Sequence, residues 1–207
     1  MPQLAIEESA LLFPEQIRSL LEWTRENTGG QTPVYPFLAP MAGAALLPGE
    51  AVALRVDDVT LLEGGFGEML VGAGEGRKVP VTPGLSDLLR NWIRRAGLKL
   101  DDPLFSGEGN RSLSSAVYRQ VWAQAREAVL RPDEAEAGLG EHVTSLRDSC
   151  LEKWLKAGVP AWSVAEWAGL NPSWLALRFP HCFRLDGDAV DWDHLAKATA
   201  LPGSHKS

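Results

Sequence analysis

Residues 145–182 read SLRDSCLEKWLKAGVPAWSVAEWAGLNPSWLALRFPHC, and this stretch governs the reading of the whole chain. Apolar spacing predicts a helix over 144–157, a turn at Gly158-Val159-Pro160, a second helix over 161–168, a stop at Gly169 and a third helix running through Arg178. Residues 155–171 resemble a helix-turn-helix, with glycine at the turn and a new helix after Pro160. A groove-reading surface carries a cationic surplus, yet residues 141–183 hold four acidic and four basic side chains. The spacing therefore reads as internal architecture.

The chain of 207 residues has room for one well-buried core, and 45% hydrophobic with 23% charged residues is globular composition. Cys150 and Cys182 make no CxxC pair and no disulfide framework, which points to a reducing compartment. The first residues lack a basic segment ahead of their apolar ones and no stretch approaches a membrane span, so a cytoplasmic protein is expected. Twenty Lys and Arg against 27 Asp and Glu give a formal charge of −7, the wrong sign for gripping a polyphosphate backbone.

Upstream, a helix opens at Phe13-Pro14 with Ile17, Leu20, Leu21 and Trp23 on one face, and the apolar run 35–47 reads as a buried helix in spite of Pro40. Pro48-Gly49-Glu50 punctuates this run, AVALRVDDV follows as a short helix leading into a strand, and residues 59–82, with glycines at 64, 65, 72, 74 and 76, suit a small antiparallel sheet. Helical spacing returns at 85–96, with Leu88, Leu89, Trp92 and Ile93 inward, and at 113–129. The acidic segment 132–141 reads as a loop, and residues 188–200 as a last helix. The expected fold is mainly α with a small antiparallel β-sheet, divided into an extension (1–12), one domain (13–200) and a flexible tail (201–207).

In this order the blocks resemble the catalytic domain of tyrosine recombinases, the phage-integrase family, and its actinobacterial integrase type in particular. The matching pieces are ALLPGEAVALRVDDV, GAGEGRKVPVTPGLSDLLRNWI, DPLFSGEGNRSLSSAVYRQVWAQAR and the stretch quoted above. The resemblance implies a chemistry in which a tyrosine attacks a DNA phosphodiester while arginines, a lysine and histidine-type groups hold the phosphate and move protons. It also implies a separate DNA-clamping domain ahead of this one, which the chain is expected to lack.

Taken position by position, the family's first arginine falls on Leu47, its β-turn lysine on Ala73, the first histidine of its HxLRH pattern on Thr144, the histidine of its GH pair on Leu170 and its nucleophile on Phe179. Glu50 and Arg147 are retained. Arg147, Arg77 and Lys78 are the candidates for DNA contact, although hairpin alternation leaves open whether Arg77 or Lys78 leans toward the site. The only tyrosines, Tyr35 and Tyr118, lie far upstream of the nucleophile position. With these positions emptied, Leu47 and Leu170 are expected to be buried in a pocket that has filled with apolar side chains.

Two readings of Arg147 with Glu50 stand side by side: a phosphate clamp, or a buried ion pair that holds helices together. Adjacent His181 and Cys182 lack the usual ligand spacing, so they read as a surface histidine beside a packed cysteine, with no metal and no cofactor expected. Ser149 with His142 has no GxSxG elbow to support a hydrolase triad. Trp154, Trp162, Trp167 and Trp174 line either a partner groove or the core. The expectation is a catalytically inactive, monomeric integrase-like protein that binds DNA weakly or binds protein, such as an active integrase. The alternative is an active recombinase with a relocated nucleophile.

Overall fold

A computed structural model describes residues 5–28, 32–72, 74, 76–106 and 113–183. The chain enters through a 3₁₀ turn, Glu8–Ala10, and then α1, Pro14–Asn27, which starts with Pro14 in its first turn and with the Phe13 N–H donated to the Gln16 side chain at 2.8 Å. Next comes α2, Val34–Ala44, an almost wholly buried helix that contains Pro40. It packs against α1 and against elements that arrive much later in the chain. Ala45 ends it in the left-handed conformation (φ 51), and the Ala45 and Leu46 N–H groups both turn back to the Pro40 carbonyl.

The helix expected to reach residue 47 therefore stops at Ala44, and Leu47 opens the next one, α3, Pro48–Ala53. A 3₁₀ turn, Val56–Asp58, leads into β1, Val59–Thr60, followed by β2, Gly67–Val71, and β3, Arg77–Val81. The strands pair antiparallel in the order β1-β2-β3, with Met69 opposite Val79 and Val71 opposite Arg77. Alternation puts Met69, Val71, Val79 and Val81 into the core and Glu68 and Lys78 on the outer face.

Helix α4, Pro83–Ala96, is capped by Gly97 in the left-handed region, and α5, Ser115–Val129, begins at Ser114, whose Oγ accepts the Ala116 N–H. The acidic segment expected to be a loop contains α6, Pro132–Glu136. Pro132 opens it, and the Glu134 carboxylate accepts the Arg131 N–H at 2.9 Å, so the acidic residues serve the helix N-terminus. The last part is α7, Ser145–Lys156, α8, Ala161–Ala168, α9, Pro172–Arg178, and a 3₁₀ turn, Pro180–Phe183. The architecture is mainly α with one small antiparallel sheet, as the sequence predicts.

Helix α2 stands at the centre, packed on α1, α4, α5, α7 and β3. Around it Leu20, Phe37, Leu38, Met41, Met69, Leu89, Trp122 and Leu146 form the main core. A second cluster, with Ala45, Cys150, Leu151, Val164, Ala168, Leu175 and Phe179, joins α7, α8 and α9 to the end of α2. Residues 5–12, expected to be an extension, belong to the packed body: Leu11 enters the second cluster, Leu12 the first, and the Leu12 N–H is held by Ser149 Oγ at 3.0 Å. Their apolar side chains cover core that α7 would otherwise expose to water. Among the described residues no helix is long and apolar enough to cross a membrane. The helix predicted at 188–200 and the tail lie outside the described residues, as does Ala73.

Candidate functional site

Arg147 lies in the first turn of α7, where that helix passes between α2 and α8. The residue is 6% exposed, and its guanidinium donates to the Ala45 carbonyl through Nη1 and to the Ala168 carbonyl through Nη2, the latter at 2.7 Å. Both acceptors sit at helix C-termini, Ala45 at the cap of α2 and Ala168 at the last residue of α8. Unsatisfied carbonyls there carry partial negative charge, so a cation between them ties two helix ends together. Burial draws the Arg147 pKa down and Glu50 draws it back up; an arginine stays protonated through such a shift.

Glu50, in the first turn of α3, places a single oxygen, Oε2, among three donors. It accepts the Leu47 N–H at 2.8 Å and Arg77 Nη2 at 2.9 Å, and stands 3.6 Å from Arg147 Nη1. Arg77 also donates Nε to the Trp167 carbonyl at 2.8 Å, so it caps α8 from the other side. Gly169 permits that approach: its φ is 65°, and a Cβ there would meet the Arg77 guanidinium at 3.3–3.4 Å. Hairpin alternation is thereby resolved. Arg77 leans inward, its side chain 18% exposed, while Lys78 faces out and pairs with Glu68 at 2.9 Å.

A second ion pair flanks the first. Asp148, next to Arg147, binds Arg178 at 2.8 Å, and the Arg178 guanidinium lies 5.9 Å from the centre of the Trp174 ring. The sequence does not disclose this pair, because its members are 30 positions apart on different helices.

Phe179 caps α9, donates its N–H to the Leu175 carbonyl at 2.8 Å and is fully buried, its ring edge-on to Trp174 and His181. No oxygen stands at that position. Thr144 is the residue before α7 and makes no side-chain cap bond. Leu170 is half-buried against the second cluster. Leu47, expected to be buried, is 41% exposed: as the extended N-cap of α3 it turns its backbone inward to Glu50 and its side chain out. Carboxylates and backbone carbonyls, and not leucine side chains, are the partners of the Arg77 and Arg147 guanidiniums.

Other sequence candidates separate in space or in role. Tyr118 packs in the main core against Phe37, ring centres 4.7 Å apart, and Tyr35 belongs to the first turn of α2. Ser149 Oγ is buried on the Leu12 N–H, which leaves the hydrolase triad without a free nucleophile. Trp154 and Trp167 stack edge to face at 5.6 Å, whereas Trp162 is exposed. His181, expected at the surface, is largely covered and bonded to Glu152 at 2.8 Å.

No protein-family model matches the chain, and no curated protein does. Solved structures do match. XerA recombinase is similar over 92% of this chain and 64% of its own length, at 15% identity and a TM-score of 0.63. XerH site-specific recombinase, bound to its palindromic difH substrate, is similar over 94% of this chain and 54% of its own, at 18% identity and a TM-score of 0.67. The catalytic domain of bacteriophage HP1 integrase is similar over 95% of this chain and 98% of its own, at 15% identity and a TM-score of 0.55. The chain thus spans just over half of the XerH chain and about two thirds of the XerA chain, and nearly the whole HP1 domain. The central α2, the three-stranded sheet beside it and the helices packed around them have the fold of the tyrosine-recombinase catalytic domain.

Proposed function

We propose that this chain is an integrase-like protein that has given up strand cleavage and acts by binding protein, with at most weak binding of DNA. The observation that carries the proposal is Phe179, a fully buried ring with no oxygen at the position that the resemblance assigns to the nucleophile, and the pairing of the nearby arginines adds to it. Glu50 Oε2 sits between Arg77 and Arg147, where a phosphate would draw on the same cations, and Asp148 takes Arg178. Inserting a phosphate beside these fixed carboxylates brings like charges together in a partly buried place, which is costly. Phe179 supplies no nucleophile, and its ring is buried among apolar neighbours.

XerH was solved with DNA. What this chain has in common with it is the fold, while a formal charge of −7 works against long-range attraction to a duplex. A protein partner, such as an active integrase, needs no phosphate site. Incubation with a nicked suicide duplex, followed by denaturing electrophoresis, tests the loss of chemistry. No covalent adduct is expected from the native chain or from Phe179→Tyr, because the tyrosine alone leaves the phosphate uncompensated. An adduct with the native chain would establish the alternative, a recombinase with a relocated nucleophile.

A further inference from the structure

Away from the arginine cluster, Glu152, His181 and Cys182 bring a carboxylate, an imidazole and a thiol together, with one donor atom of each within 4.8 Å of the others. Glu152 is buried on α7, and His181 and Cys182 follow Phe179 in the closing 3₁₀ turn. A single oxygen, Glu152 Oε1, meets His181 Nε2 at 2.8 Å and the Lys156 ammonium at 2.9 Å. Lys156 is held in turn by Glu8. Cys182 is free of any disulfide and half-buried. None of these groups belongs to the arginine site.

We propose that Glu152, His181 and Cys182 form a binding site for a single zinc ion. Carboxylate, imidazole and thiolate are the three side-chain ligand types zinc takes, at bond lengths of about 2.0–2.3 Å, so donors in a tetrahedral site stand roughly 3.3–3.8 Å apart. To reach that size the Glu152–His181 pair, now at 2.8 Å, opens by about half an ångström while the Cys182 thiol moves in by about an ångström. A thiolate and a carboxylate together bring two negative charges to a divalent ion, with a neutral imidazole as third ligand, so the loaded centre is neutral in a partly buried place. The mixed sulfur and nitrogen donors favour zinc over magnesium or calcium, which prefer oxygen alone. Water fills the fourth position. The Lys156 ammonium now occupies the cationic place on Glu152 and is the natural competitor; on loading it retains Glu8. The bound ion would fasten the turn after Phe179 to α7.

Chelator-treated full-length protein titrated with Zn²⁺ by calorimetry, and with Co²⁺ by absorbance, tests the site. Expected are one equivalent of zinc, a near-ultraviolet thiolate-to-cobalt band and a raised melting temperature. Cys182→Ser should lose the band, and Glu152→Gln and His181→Ala should each weaken zinc binding by about tenfold or more. Lys156→Gln should tighten binding, since a competing charge leaves. Circular dichroism checks that each variant is folded. Absence of stoichiometric zinc uptake, a cobalt band that survives Cys182→Ser, or zinc affinity unchanged in the folded Glu152→Gln and His181→Ala proteins would overturn the proposal.

Discussion

At the scale of single residues, Phe179, Arg147 and Leu47 each make a measurable claim. Phe179 is fully buried among apolar side chains, so Phe179→Tyr introduces a hydroxyl with no partner and should destabilise the fold by about 1–3 kcal/mol in urea denaturation. Arg147 holds two helix-end carbonyls, and Arg147→Met strands both of them together with part of the Glu50 charge. A loss of about 3–5 kcal/mol is expected, and a loss within 0.5 kcal/mol would show that the clamp is not structural. Leu47 makes the opposite case. Because its side chain is exposed, Leu47→Arg should shift stability by no more than about 0.5 kcal/mol, whereas a filled pocket would reject the charge.

At the scale of elements, the end of α8 is where several constraints meet: Arg77 and Arg147 take its last carbonyls and Gly169 lets the chain leave in the left-handed conformation. Gly169→Ala combines that conformation with contact against the Arg77 guanidinium, and should cost roughly 1–2 kcal/mol, read as a lowered melting temperature. Helix α7 buries Cys150 at the same junction, and burial pushes its thiol up to about 12 from an ordinary value of 9.0. Because the folded pKa is the higher one, the contribution of this thiol to stability is complete below about pH 9 and is lost as pH rises from there to about 12. Thiol titration under native conditions near neutral pH should accordingly leave Cys150 unreacted and detect it only on unfolding. Rapid native labelling of Cys150 would mean that the α2–α7–α8 junction opens readily.

At the scale of the whole molecule, an acidic chain whose site arginines are already paired should bind non-specific duplex DNA more weakly than about 0.1 mM at physiological salt, with little salt dependence in a fluorescence-anisotropy titration. A steep salt slope would assign it a phosphate-contacting surface. The sequence by itself determined most of the elements and the residue identities at the candidate site. Helix spacing, the glycines and prolines at the turns and the alternation of β2 and β3 are set by neighbours a few residues apart, and that residue 179 carries no hydroxyl is a matter of identity alone. Even the misread acidic segment carried its helix signal locally, in Pro132 followed by Asp133 and Glu134. Only the tertiary structure decided what the retained polar groups do. It put one Glu50 oxygen between two guanidiniums, gave Arg147 two backbone carbonyls for partners and brought Glu152 to His181. Such pairings join residues that are tens of positions apart, and they are fixed by how α2, α7 and α8 pack on one another, which no local period of the sequence encodes.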